Sequence, residues 1–182
     1  PVLERGREAV FTGLVEETGT VEGVRRISGG LRLRVRAAIV PEGMADGDSI
    51  NVDGVCQSVV SHGESWFEVE AVGDTLDKSV LRNYRPGRQV NLERSLTPQG
   101  RLGGHFVQGH VNGIGRIIRL EQLGENYALV VRVPEELERY IAILCDVLER
   151  EPFDFLFFGG DAFDPGGMLS SLYTATLIRG AR

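Results

Sequence analysis

Apolar and polar residues alternate with period two along much of the first half of the chain, the spacing of half-buried strands. Leu31-Arg32-Leu33-Arg34-Val35-Arg36 alternates cleanly, which sends the leucines and the valine inward and the arginines to a solvated face. From Trp66 to Val72 the pattern recurs, with Phe67, Val69 and Ala71 on one side and Glu68, Glu70 and Val72 on the other. Between these lies Gly47 to Val59, two short strands meeting at Asp53-Gly54, a hairpin signal flanked by β-branched Ile50, Val52 and Val55. Alternation puts Ser49, Asn51 and Asp53 on one face of this hairpin, and Cys56 and Ser58 together past the turn. Phe11 to Val21 has strand character interrupted by glycines, which in strands mark bulges or close backbone approach. Val90-Asn91-Leu92-Glu93 closes the series. Breaks fall at Pro41 to Asp46, expected to hold one helical turn, at Asp74 to Leu81, expected to form a short helix, and at the Pro86-Gly87 turn. Six or so short strands with one or two helical turns predict a small closed β-barrel.

The pattern then repeats. Gly109 to Ile117 lies 96 positions after Gly13 to Val21, and the two stretches share Gly, Val and Gly at their first, third and seventh positions. At the same offset Tyr127 to Val131 falls on Leu31 to Val35. A colinear period of this length predicts two copies of one domain. The expected organisation is a first barrel over residues 10–100, the start of a second over 101–141, and a divergent tail over 142–182. A second Gly-x-Ser-Ile hairpin is due near residues 142–150, but Ala142 to Arg150 reads as helical, and residues 135–150 form an amphipathic stretch. Beyond it, five of the eight phenylalanines fall between Phe153 and Phe163. A divergent tail, a truncated second domain or a frameshifted sequence each account for this break; its abruptness favours an anomalous end.

Composition narrows the function classes. The 182 residues carry 42% apolar and 25% charged residues, ordinary globular values. A net charge of −6 argues against a nucleic-acid surface, because the basic residues are scattered arginines apart from Lys78. Two cysteines make no disulfide framework and point to a reducing compartment, so the expected location is cytoplasmic. No apolar run is long enough to span a bilayer. Pro1 to Arg5 has no signal-peptide character and no initiator Met, so the chain is expected to be processed or a fragment.

Taken singly, the candidate residues have plain readings. A lone strand cysteine such as Cys56 is usually a buried small hydrophobe, and Glu70 a solvent-facing strand residue. His105 and His110, five apart on an extended stretch, face opposite ways and make a poor metal pair; with His62 and Cys56 they meet as a zinc site only by coincidence, so no metal is expected.

Together, Phe11 to Glu17, the Gly47 to Val59 hairpin, Asp74-Thr75-Leu76, Val90 to Arg94 and Gly103 to Val111 resemble the α-chain type of riboflavin synthase, over roughly residues 10–141. The resemblance implies a mainly β fold: tandem six-stranded antiparallel Greek-key barrels, the second incomplete or divergent, with short helices and a C-terminal helix. It implies conversion of two 6,7-dimethyl-8-ribityllumazine molecules to riboflavin and 5-amino-6-(ribitylamino)uracil without a cofactor, in a homotrimer whose sites lie between subunits. Lumazine synthase is the further partner it implies. In that chemistry one lumazine loses a proton from its C7 methyl and attacks the other, which a nucleophile has activated. Ser49, Cys56 and His110 fall at catalytic positions, with Ser49 or Cys56 adding or polarising and His110 shuttling protons. The substrate-binding positions are Gly13, Leu14, Val15, Cys56, Gln57, Ser58, Glu70, Ala71, Val72, Gly73, Asp74, Thr75, Gly109, His110 and Val111. Ser58 stands where the family usually has Thr, and Gln57 where it has Leu. The rival readings are a lumazine or flavin carrier without catalysis and, last, a flavoprotein reductase barrel, for which the chain has no Arg-x-Tyr-Ser stretch.

Overall fold

The computed structural model describes residues 9–123, 126–135 and 137, and the backbone of three short strands beyond them. Six strands close into an antiparallel barrel: β1 (Glu17–Ile27), β2 (Gly30–Arg36), β3 (Ser49–Val52), β4 (Val55–Gly63), β5 (Trp66–Val72) and β6 (Gln89–Arg94), in the spatial order β1-β2-β5-β4-β3-β6. The mainly β barrel expected from the sequence is therefore present. Its interior holds most of the predicted apolar set: Val21, Leu33, Val35, Ile50, Val52, Phe67, Val69, Ala71 and Leu92 are all inaccessible to solvent, whereas Leu31, expected inward, is only half-buried near the start of β2. Each fully buried leucine, isoleucine or phenylalanine contributes about 1.5–3 kcal/mol by leaving water.

The turns follow from their residues. Asp53 and Gly54 both take positive φ, 48° and 88°, the two-residue type I′ turn that Asp-Gly favours. Gly19 shows what the glycines of the first segment are for. A Cβ there would lie 2.6 Å from Leu92 Cδ1 and 2.9 Å from Val35 Cγ1, so its bare backbone lets β1 pack against its neighbours. The strand starts at Glu17, later than the expected Phe11, and a bulge lies between Val21 and Gly23.

Two local expectations change. Pro41 to Asp46 forms turns, not a helical turn. The Glu17 carboxylate accepts the backbone N–H groups of Ala38, Ile39 and Val40 at 2.8, 2.7 and 2.6 Å, and Gly43 follows at φ 74°. Those donors are fixed by a side chain from another strand, and a left-handed glycine stops propagation. The expected helix after Asp74 is split into α1 (Gly73–Lys78) and a 3₁₀ turn over Val80–Asn83, with Ser79 between them accepting from the Leu81 amide.

The arginine row is more than a solvated face. Arg32 is bonded by Glu70, with Nε to Oε1 at 2.8 Å, and also reaches Glu68 at 3.5 Å. Arg34 pairs with Glu68 and Glu22 and stacks over the Trp66 ring at 3.6 Å. Register explains the arrangement, because Arg32 lies opposite Glu70 and Arg34 opposite Glu68 in the β2–β5 ladder.

Beneath the hairpin turn sits a buried polar anchor. Asp53 accepts from the Tyr84 hydroxyl and from the Asn91 amide at 2.7 Å, and Arg88 approaches its carboxylate at 3.6 Å while lying over the Tyr84 ring. Burial pushes the Asp53 carboxyl above its ordinary value, against the lowering effect of those partners.

After the barrel, β7 (Gly115–Leu123) and β8 (Asn126–Arg132) form a hairpin. Its register pairs Ile117 with Val131 and Arg119 with Val130, with a bulge between Ile117 and Arg119. The β1–β2 hairpin pairs Val21 with Val35 and Gly23 with Arg34, with its bulge between Val21 and Gly23. Pairing and bulge thus coincide at the 96-residue offset. The strands β9 (Phe155–Phe157), β10 (Met168–Leu169) and β11 (Thr176–Ile178) follow, β10 pairing with β7 and β11 with β9. The amphipathic stretch expected over 135–150 and the C-terminal helix lie outside the described residues.

Candidate functional site

Residues 105–111 do not leave the first barrel. Phe11 and Val107 exchange amide hydrogen bonds at 2.7 and 3.0 Å, the His105 amide donates to Thr12, and the Cys56 amide donates to the Gly109 carbonyl at 2.9 Å. This segment is a strap crossing β4 at Cys56, and beyond it Val111 and Ile114 pack against the barrel core. Gly109 makes the crossing possible. It takes φ 72°, and a Cβ there would lie 2.9 Å from both Cβ and N of Cys56.

Under the strap lies a cavity of about 190 Å³. Strand β4 contributes Val55 and Cys56, helix α1 contributes Asp74, Thr75 and Lys78, and the strap contributes Gly109, His110 and Val111. The hairpin register places Ser49 opposite Ser58 and Asn51 opposite Cys56, so these four side chains share the outer face of the barrel wall. On that face the Ser49 hydroxyl neighbours the Cys56 thiol. Burial pushes that thiol above its ordinary value, and the Ser49 hydroxyl offsets this only in part. At neutral pH Cys56 is therefore a neutral donor, not a standing thiolate. Alkylation at pH 7 by iodoacetamide, followed at the Cys56 peptide by mass mapping, is expected to be slower in the folded chain than in urea. Equal rates would remove the argument for a buried, protonated thiol.

A second, larger cavity of about 660 Å³ is lined by Ser49. It is walled by Thr12, Leu14, Met44, Glu93 and Leu96 among others. Here the Glu93 carboxylate, nearly buried, accepts from the Thr12 amide at 2.6 Å, the Thr12 hydroxyl at 2.7 Å and the Gly13 amide at 3.1 Å. Those bonds fix the course of residues 12–13 and leave Leu14 and Val15 exposed.

The predicted site residues thus divide. Cys56, Asp74, Thr75, Gly109, His110 and Val111 surround one cavity, and Ser49 lies near Cys56 on the same face of the barrel wall. Leu14 and Ser49 border the other cavity, Gly13 adjoins it through Glu93, and Val15 lies exposed beside them. Ser58 is exposed opposite Ser49. Gln57 faces the other way, paired with Ile50, 5% exposed, and donating to the Cys56 carbonyl at 2.6 Å. Glu70 is held by Arg32, Ala71 is core, and Val72 is half-exposed on the strand that leads into Gly73. Sequence reasoning passed over Val55 and Lys78. Lys78 stands four residues after Asp74, a helical spacing that puts the chain's single lysine on the same face as two candidate residues. Among the described residues no cluster of three or more His, Cys, Asp or Glu is placed to hold a metal ion. No helix among them is long and apolar enough to cross a membrane.

The lumazine binding domain profile matches residues 12–95. Riboflavin synthase of Brucella abortus (strain 2308) is 38% identical over 138 residues, covering 73% of this chain and 68% of that protein. The Mycobacterium tuberculosis (strain ATCC 25618 / H37Rv) riboflavin synthase is 40% identical, covering 72% and 66%. For the Bacillus subtilis (strain 168) enzyme the values are 38%, 62% and 53%. The chain thus matches between about half and two thirds of the length of these relatives. The crystal structure of LumP complexed with riboflavin superposes with a TM-score of 0.61 at 17% identity, covering 71% of this chain and 70% of that one. LumP complexed with 6,7-dimethyl-8-(1'-D-ribityl) lumazine superposes at 0.58 and 18%, with the same coverage. At such identity these two establish the barrel fold.

Proposed function

The chain belongs to the riboflavin synthase family, and from that premise we propose that it binds 6,7-dimethyl-8-ribityllumazine and takes part in its dismutation to riboflavin and 5-amino-6-(ribitylamino)uracil. The observation that carries this reading is the convergence of Cys56, Asp74, Thr75 and His110 on one cavity under the strap, from three separate parts of the fold, with Ser49 near Cys56 on the same face of the barrel wall. The bicyclic ring lies against the Ser49–Cys56 wall, where a hydroxyl and a neutral thiol donate to its polar edge. His110 is the group available to take and return a proton. At about 190 Å³ the cavity is smaller than the 300 Å³ or more usual for a small-molecule site, so it holds part of one ligand and needs a facing surface to complete it. A homotrimer with sites between subunits supplies such a surface. The reaction belongs to the cytoplasm, and lumazine synthase, which makes the substrate, is the partner to test.

The domain organisation proposed is a first barrel over 10–100, the beginning of a second over 101–141, and a separate tail over 142–182. Two observations support duplication. The β1–β2 and β7–β8 hairpins share register and bulge at one offset. Phe11 is also bridged to Val107, its own counterpart at that offset, as two copies related by a local two-fold axis would be.

Incubation of the purified chain with dimethyl-ribityllumazine is expected to yield riboflavin, read by its longer-wavelength fluorescence. Saturable binding without riboflavin would instead assign a lumazine or flavin carrier. Absence of binding would overturn both.

A further inference from the structure

We infer that Lys78 is the electrostatic element of this site: its ammonium stabilises the anion that forms when the bound lumazine loses a proton from its C7 methyl. The inference rests on the proposed ligand and goes beyond it by assigning a role to a residue that carries none in the reading above.

Three observations lead there. Lys78 lines the cavity beside Cys56, Thr75 and His110. It is the only lysine of the chain, in which the other 19 basic residues are arginines. Its Nζ lies 2.6 Å from Asp74 Oδ2 across one helical turn.

The charges around the cavity decide what Lys78 can do there. Cys56, from β4, is held neutral by burial. Asp74, from α1, is an anion and opposes a second negative charge. His110, from the strap, is the proton carrier in the proposed reaction and so changes charge during it. Arg82, the nearest arginine along the chain after α1, is held by Asp77 and the Leu76 carbonyl. Among the described residues that line the cavity, Lys78 is then the one with a permanent positive charge. Asp74 is 79% exposed and Lys78 43% exposed, and a surface pair of this kind is worth at most about 1 kcal/mol. The ammonium is therefore cheaply transferred from Asp74 to a new anion. In the free protein the pair keeps the cavity mouth close to neutral, which suits entry of an uncharged ring.

The step balances simply. A methyl C–H bond breaks, the proton leaves to a base or to water, and the electron pair spreads into the ring, taking the ligand from zero to minus one. A cation within about 4–6 Å favours the charged form and lowers such an equilibrium by roughly one pH unit or more.

The test is an absorbance titration of dimethyl-ribityllumazine bound to the full chain, reading the neutral and anionic ring by their separate spectra. With Lys78→Gln the bound ligand is expected to deprotonate about one pH unit higher than with the unaltered chain, roughly a tenfold loss of anion at a given pH, and Lys78→Arg is expected to restore most of the shift. Binding with the same midpoint in Lys78→Gln and the unaltered chain overturns the role of Lys78 and leaves the proposed ligand standing. No saturable binding by the unaltered chain overturns the ligand and the inference together. If Lys78→Gln alone fails to bind, recovery in Lys78→Arg supports the cation and failure in both refutes it.

Discussion

Replacing Asp53 by alanine is expected to lower the melting temperature by roughly 10 °C, the largest loss of stability at any polar position described here. The carboxylate is 4% exposed and serves three partners at once: the Tyr84 hydroxyl, the Asn91 amide and the Arg88 guanidinium. Truncation leaves a guanidinium that is only 18% exposed without its anion and two donors without their acceptor. Removing one member of such a group costs about 3–5 kcal/mol, because the remaining charge stays buried and uncompensated. Alanine also fits the φ of 48° at this position poorly, which adds about 1 kcal/mol. Asp53→Asn separates the effects, since Asn tolerates the turn and keeps one of the two accepting oxygens while losing the charge. A thermal or urea melt in which Asp53→Ala lies within about 1 kcal/mol of the parent would show that the anchor is dispensable.

The same residue sets a sign for pH. Burial holds the native carboxyl above its ordinary value, so the folded chain binds that proton more tightly than the unfolded one. Its contribution to stability is full below about pH 4 and declines as pH rises through the native value. Asn at this position does not titrate. The deficit of Asp53→Asn relative to the parent should therefore be larger at pH 4 than at pH 7. Urea midpoints for both proteins at the two pH values check the sign, and a deficit that grows with pH contradicts it.

What was legible in the sequence was the part governed by period-two alternation and turn chemistry. Leu33, Val35, Phe67, Val69 and Ala71 lie in the core where alternation puts them, and Asp53-Gly54 makes the turn that its residues favour. What was not legible depends on side chains that reach across the fold. Glu17 captures three amides more than twenty positions away and so prevents the helical turn at Pro41 to Asp46. Glu93 draws residues 12–13 towards β6, which parts Gly13 to Val15 from Cys56 although both were expected at one ligand. Within the site, family spacing brought Cys56, Thr75 and His110 together, yet it said nothing of Lys78, whose place follows from the pitch of a helix of six residues. Gln57 is the converse. Its neighbours on both sides face outward, so alternation alone turns it inward, whatever its polarity.

Gly109→Ala is expected to weaken binding of dimethyl-ribityllumazine at least tenfold while leaving the melting temperature within a few degrees of the parent. Two costs combine at this position. An L-residue at φ 72° is strained by about 1–2 kcal/mol. The new Cβ would also stand 2.9 Å from Cys56 Cβ and N, and such overpacking against backbone typically costs about 1–3 kcal/mol. The barrel strands do not include Gly109, so the strap moves in preference to β4, and the cavity wall formed by Gly109, His110 and Val111 moves with it. Gly13→Ala supplies the contrast. Gly13 stands at the equivalent position of the first copy and takes φ 80°, but its added Cβ would meet only Val107 Cγ2, at an ordinary 3.6 Å. It carries the same backbone strain without the collision at Cys56 and is expected to change ligand affinity by less than threefold. Fluorescence titration of both variants decides the matter: equal affinities in Gly109→Ala and Gly13→Ala would mean that contact between the strap and Cys56 does not shape the ligand site.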